Sequence, residues 1–382
     1  MRPIPISMKD FQPFAMERYM SAYEQEVDYN LSESGVQPIL LGELLDMKPG
    51  SHEHLLGVDL NYPHANGIPE LRKNIASMYG SAQAENVLVT VGAIEGNYNT
   101  IRTLLNAGDE IVIMLPNYMQ IWGIAKNHKL KTKTFHLRED LQWAPDLDQL
   151  EALVSKDTRL IAVCNPSNPT GRILTGEEMQ TIVSIAERHG SWILADEVYS
   201  GVEQFTDQQT PSFYELYDKV LAIGSMSKAY GLPGLRTGWV VCRDRNVLDR
   251  IWSRHEYNTL SVGMMANHLA AIALSEEVRP AILQRARSYV RKGYSFLEGW
   301  MSEQPIKMSC VPPQAAAIAW VKYEHEINST DLAMKLIRSD PSALIVPGDH
   351  FGIDHYLRIS FGLNQDYLSQ GLHAITKVLK QL

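Results

Sequence analysis

Ser225-Met-Ser-Lys-Ala-Tyr-Gly-Leu-Pro-Gly-Leu-Arg-Thr-Gly-Trp239 follows directly on the apolar run Lys219-Val-Leu-Ala-Ile-Gly224. Lys228 thus stands just past a buried strand, in a turn that also holds glycines, a proline and an arginine. A lysine so placed can hold an aldehyde covalently, because condensation with its amine gives a far better electrophile. Ser225, Ser227 and Arg236 are then available to a dianionic phosphate, the arginine through its planar fork of donors. A surface turn with a solvated lysine would explain an isolated S-x-S-K, but the full run is a much narrower pattern.

Outward from this segment, short β-branched runs at residues 87–91, 110–114, 160–164, 192–195 and 220–223 predict buried strands. Residues 175–189 have helical spacing, with Met179, Ile182, Val183, Ile185 and Ala186 on one side. Such alternation predicts an α/β domain whose mostly parallel sheet is covered by helices on both faces. Ligands bind at the carboxyl ends of strands in sheets of this kind. Beyond residue 275 a long helix to about 301 leads into strand-like pieces at 316–321, 343–346 and 356–361. A closing helix from Asn364 completes a smaller α+β domain, to which the N-terminal segment is expected to return.

The 382 residues are too many for one small core and suit two domains. A net charge of −9 without a basic block argues against a nucleic-acid partner. Cys164, Cys242 and Cys310 are odd in number and far apart, fitting reduced thiols in a cytoplasmic protein. The opening Met1-Arg-Pro-Ile-Pro-Ile-Ser-Met-Lys-Asp10 has no apolar core, so no secretory signal is expected, and no run spans a bilayer. His52-Glu53-His54 lacks a third ligand nearby and reads as a polar loop, so no metal is expected.

Five further elements extend the pattern: Asp196-Glu-Val-Tyr199, Asn165-Pro-Ser-Asn-Pro-Thr-Gly171, Gly92-Ala-Ile-Glu-Gly96, Pro116-Asn-Tyr118 and Tyr356-Leu-Arg-Ile-Ser-Phe361. With residues 225–239 they resemble class I/II aminotransferases, the fold-type-I enzymes that use pyridoxal 5'-phosphate (PLP). The resemblance implies a large domain, residues 46–285, with a mostly parallel seven-stranded sheet. Residues 1–45 and 286–382 would form the small domain. Lys228 would hold PLP through a Schiff base, and Asp196 would keep the pyridine nitrogen protonated, which a carboxylate does by raising its pKa. Tyr199 and Asn168 would bond the ring oxygen, with Asn168 also near substrate, and Tyr118 would stack on the ring. The amides of Gly92, Ala93 and Ile94 would meet the phosphate at a helix start, with Ser225, Ser227 and Arg236. Ile94 stands where the family commonly has a hydroxyl. Tyr62 would reach the phosphate of a neighbouring subunit, implying a homodimer with a shared active site. Arg358 would bind the α-carboxylate of a free amino acid substrate.

The runs Met16-Glu-Arg-Tyr19 and Leu31-Ser-Glu-Ser-Gly-Val36 resemble a narrower branch, the capreomycidine synthases and enduracididine-forming cyclases. That likeness implies elimination and cyclisation of a hydroxylated arginine, whereas Asp196-Glu-Val-Tyr199 has the ordinary transaminase form. Pro313-Gln-Ala-Ala316 lacks the family's usual glycine, implying an altered substrate pocket. Glu17, Asp28 and Glu33 are the candidate partners of a guanidinium side chain. A PLP-sensing regulator would need a DNA-binding domain ahead of this core, and the aminotransferase pattern starts within the first few dozen residues.

Overall fold

The computed structural model describes residues 11–382; the opening decapeptide, with the expectation about a signal, lies outside the described residues. Its strands are β1 (Tyr29–Asn30), β2 (Val87–Thr90), β3 (Glu110–Leu115), β4 (Lys131–Arg138), β5 (Ala144–Pro145), β6 (Thr158–Cys164) and β7 (Trp192–Asp196). After them come β8 (Val220–Ser225), β9 (Gly238–Cys242), β10 (Met308–Cys310), β11 (Ile318–Tyr323), β12 (Ala343–Leu344), β13 (Val346–Pro347) and β14 (Tyr356–Ser360). The large sheet has the order β2-β9-β8-β7-β6-β3-β4-β5. Strands β4, β3, β6, β7 and β8 run parallel, while β9 is antiparallel to both β8 and β2. The expected seven strands are present. The two-residue β5, antiparallel to β4 at the edge, makes an eighth.

Nearly every residue of β3, β6, β7 and β8 is buried, which is why these strands read as unbroken apolar runs. The helix Gly176–His189 buries the five residues that its spacing singled out. Thr175 and Glu178 close its first turn reciprocally: Thr175 Oγ1 accepts from Glu178 N at 3.1 Å, and Glu178 Oε2 accepts from Thr175 N at 2.7 Å. Gly190, at φ 69°, ends it.

A second sheet, β10-β11-β14-β13, is antiparallel throughout. The N-terminal segment does return to this part of the chain. β1 pairs with β12 in parallel, and Leu31 N donates to Leu344 O at 2.8 Å. Two expectations are corrected. Residues 343–346 are not one strand, because Ile345 separates β12 and β13, which belong to different sheets. His52-Glu53-His54 lies in the helix Ser51–Leu56, with His52 against Asp46 at 2.9 Å and His54 against His268 at 3.0 Å. The long helix expected beyond residue 275 is present and runs Arg279–Ser302. Among the described residues no helix is long and apolar enough to cross a membrane.

Gly293, within that long helix, allows its closest approach to the chain just after β14. A Cβ there would lie 1.8 Å from Phe361 O, a backbone atom. Gly293→Ala is expected to destabilise the protein by about 1–3 kcal/mol, the range for overpacking a closed core. Denaturant melts of both proteins test this, and equal midpoints would refute the close approach.

Candidate active site

Four strands of the large sheet end at one cavity of about 300 Å³. β7 ends with Asp196 and β8 with Ser225, while Asn168 and Tyr118 follow β6 and β3. The helix Gly92–Leu104 starts at the same edge, its first turn free of any side-chain cap. An uncapped helix start offers backbone amides and a partial positive charge to an anion.

Gly92 sits at φ 71°, and a Cβ there would stand 2.8 Å from Arg236 Nη2. Glycine is therefore required twice over, by backbone conformation and by the guanidinium beside it. Ser225 Oγ lies 3.0 Å from Ser227 Oγ, and Arg236 Nη1 reaches Ser227 Oγ at 3.5 Å. Ile94 is 41% exposed and brings no polar group of its own. The predicted phosphate residues are thus brought together.

Lys228 lines the cavity, and among the described residues its amine makes no hydrogen bond or ion pair. Burial pushes its pKa below the ordinary lysine value, a shift that the Glu33 and Glu17 carboxylates partly oppose. Asp196 is 6% exposed, and burial holds its pKa above the usual carboxylate range. Its best donor is Asn97 Nδ2 at 3.1 Å, supplemented by Val198 N at 3.4 Å. Asn97 was not singled out from sequence. It lies in the second turn of the helix that begins at Gly92, and its other partner, Gln120 Oε1 at 3.2 Å, lies past β3.

Asn168 Nδ2 donates to Tyr199 Oη at 3.0 Å, and that hydroxyl lies 2.9 Å from Ser34 Oγ as its donor. Arg358, in β14, donates through Nη1 to Asn168 Oδ1 at 3.2 Å and through Nη2 to Ser32 O at 2.6 Å. Its Nε is buried with no partner among the described residues. Tyr118 Oη donates to Glu17 Oε1 at 2.7 Å, and Phe14 packs on the same ring at 5.0 Å.

Glu17 and Glu33 also line the cavity, together with Glu24, which sequence reading missed. Burial raises the Glu24 pKa, and the neighbouring Glu33 and Glu17 charges add to it. Among the described residues none of the three forms a salt bridge. Asp28 is a correction: its carboxylate is outside the cavity and accepts from Ser342 N and Oγ at 2.8 Å each. It tethers β1 to the chain before β12. Tyr62 is 79% exposed, away from the cavity of its own chain.

The family model for Aminotransferase class I and II matches residues 49–375, and the chain belongs to that family. It is 29% identical to capreomycidine synthase of Streptomyces vinaceus over 99% of this chain and 95% of that protein. It is 28% identical to an aspartate aminotransferase of Pyrococcus horikoshii over 84% of this chain and 83% of that one. A PLP-dependent aminotransferase from Streptococcus suis superposes with a TM-score of 0.90 at 29% identity, covering 97% of this chain and 98% of the other. The PLP-dependent cyclase OrfR shares the fold, with a TM-score of 0.86 at 23% identity over 99% of this chain and 100% of that chain. The chain is accordingly a PLP-dependent enzyme of the aminotransferase class I and II family.

Asn97 is expected to act through Asp196. Asn97→Ala should lower kcat by about ten- to a hundredfold, because a buried carboxylate loses its main donor. Steady-state kinetics and the melting temperature of the variant test this. A wild-type kcat in a normally folded protein would refute it.

Proposed function

We propose that this enzyme transforms a free L-amino acid whose side chain ends in a cation, a guanidinium being the group that fits best. The observation that carries the reading is the cluster of Glu17, Glu24 and Glu33 at the cavity, carboxylates with no salt-bridged cation among the described residues. Burial raises the Glu24 pKa and the neighbouring Glu33 and Glu17 charges add to it, a strain that a bound cation relieves. A planar guanidinium can take carboxylates two donors at a time.

The residues present fit PLP. In support, Gly92 leaves a bare backbone cradle beside Arg236, Ser225 and Ser227 meet there, and Asp196 is a buried carboxylate in need of a positive partner. When bound, PLP supplies an electron sink for negative charge at the substrate α-carbon. Asp196, oriented by Asn97, would sustain that sink. Tyr199 and Asn168 would fix the ring oxygen, and Tyr118, braced by Glu17, would cover the ring. Arg358 would bind the α-carboxylate through the edge that Nε leaves open. Lys228, with its pKa lowered by burial, would take and return the α-proton as general base and acid.

The first reading of the reaction is transamination. The second, elimination of water and ring closure on a hydroxylated arginine, draws on the acidic cluster and on the near full-length likeness to capreomycidine synthase. A second copy of the chain would complete the site through Tyr62. Leu56, Leu60, Tyr62 and Tyr257 are 89%, 78%, 79% and 93% exposed, large apolar side chains available to such a second copy. We keep the domain division at residues 46–285, since every strand of the large sheet falls between Val87 and Cys242. Three free thiols support a cytoplasmic setting.

The deciding measurement offers holoenzyme L-arginine, its hydroxylated forms and common amino acids, with no 2-oxo acid. A single equivalent of 2-oxo acid per site identifies transamination. Repeated turnover of a hydroxyarginine with loss of water identifies cyclisation. Preference for acidic or apolar amino acids would overturn the cationic reading. Glu24→Gln and Glu33→Gln are expected to raise KM for a guanidino substrate by about tenfold each, with kcat changed less.

A further inference from the structure

Glu95 lies in the first turn of the helix Gly92–Leu104, and its Oε2 accepts from Val91 N at 2.6 Å. A carboxylate in this place meets the helix dipole favourably. It also sets a negative charge beside the amides proposed to receive a dianionic phosphate. That conflict needs a counter-charge, and the structure contains one.

His255, in the helix Arg245–Asn258, is fully buried with Nδ1 2.9 Å from Glu95 Oε1. Its Nε2 lies 3.1 Å from Ala65 O. A carboxylate and a carbonyl oxygen both only accept, so the two contacts are satisfied together when both ring nitrogens carry hydrogen. Such an imidazole is a cation. Thr259 Oγ1 donates to the same Glu95 oxygen at 2.7 Å, and Asn99 Nδ2 approaches it at 3.3 Å. Burial by itself would raise the Glu95 pKa; the bonds from His255, Val91 N and Thr259 outweigh burial and hold it below the ordinary value. The pair is therefore a buried ion pair with its remaining lone pairs satisfied, the condition under which such pairs persist.

We propose that His255 is a positioning residue that neutralises Glu95 and so keeps the start of this helix attractive to the PLP phosphate. Through Ala65 it also fixes the segment that carries Tyr62, three residues upstream. Glu95 anchors the helix start to Val91, and His255 cancels the charge that this anchoring introduces. The inference rests on the phosphate assignment made above for the amides of Gly92, Ala93 and Ile94.

A charge-balancing role gives a pattern that simple loss of packing does not. His255→Gln keeps a side chain able to bond but strands the Glu95 charge, so the PLP dissociation constant should rise by about tenfold or more. Glu95→Gln leaves a cation at the helix start and should weaken PLP binding much less. The double variant Glu95→Gln/His255→Gln, neutral on both sides, should recover most of the affinity lost in His255→Gln. Equilibrium dialysis of the full-length holoenzyme against graded PLP measures all three, and the phosphorus NMR shift of bound PLP reports on the phosphate directly. A double variant no better than His255→Gln, or His255→Gln binding PLP as wild type does, would overturn the proposal. If His255→Gln does not fold, the comparison of wild type with the two remaining variants still decides: a double variant that binds PLP about tenfold or more weakly than wild type refutes charge balance. Arg236→Met separates the two levels. Unchanged PLP affinity in that variant removes the phosphate assignment and this inference with it, whereas loss there with no effect of His255→Gln removes this inference alone.

Discussion

β9 begins at Gly238, where an added Cβ would lie 2.5 Å from Ala93 N and 2.5 Å from Gly92 C. These are backbone atoms with no freedom to swing aside. Gly238 also pairs with Thr90 at the end of β2 and with Ser225 at the end of β8. One side-chain-free contact therefore locks two strand ends to the first turn of the helix Gly92–Leu104. Gly224 does similar work beside it, since a Cβ there would run into the Trp239 ring at 2.2 Å. Trp239 is held in turn by a bond to Tyr79 Oη at 3.0 Å. With β8 and β9 antiparallel and this tightly joined, the loop between them must carry Lys228 and Arg236 over one edge of the sheet. Donors drawn from three separate elements are only as well aligned as this junction.

That junction explains why so much could be read from the chain itself. The parallel strands are buried on both faces, so β3, β6, β7 and β8 announce themselves as apolar runs, and polar residues with chemical roles follow directly after them. β4 is different. Its Lys131-Thr-Lys-Thr-Phe-His-Leu-Arg138 is mostly exposed or half-buried, and such a strand carries no continuous apolar signal. The split of residues 343–346 was equally invisible, because Ile345 is as apolar as its neighbours and only pairing partners separate β12 from β13. Asp28 and Glu24 show the limit for single charges. They are four residues apart, yet one caps Ser342 and the other faces the cavity, a difference set by where the segment returns to the fold. Asn97 depends on a partner 99 residues away, and no local pattern encodes that.

The returning N-terminal segment is what turns an open sheet edge into an enclosed site. Gly35 passes so close to the lysine loop that a Cβ would stand 2.8 Å from Ser227 O, and Val36 N donates to Lys228 O at 3.4 Å. Further along, Gln37 N donates to Gly362 O at 2.6 Å, just beyond β14. This segment touches both the loop of the large sheet and the end of the small one. It carries Glu33 and Ser34 into the cavity between them, while Glu17 and Glu24 arrive from the helix Ala15–Tyr23 and the residue that caps it.

Charge is consequently distributed unevenly within the cavity. Arg236 stands beside the helix start at Gly92, while Arg358 is fully enclosed, with two of its donors committed to Asn168 and Ser32 and Nε left open. A buried guanidinium with an unpaired N–H is costly until an acceptor fills the gap. The carboxylates of Glu17, Glu24 and Glu33 present the opposite need. An amino acid with a carboxylate at one end and a cation at the other answers both, and only one orientation does so. The reversed molecule would place like charges together at each end, a penalty of several kcal/mol in a site of low dielectric. On the proposed reading, this polarity rather than shape is what selects the substrate and presents its α-carbon to Lys228.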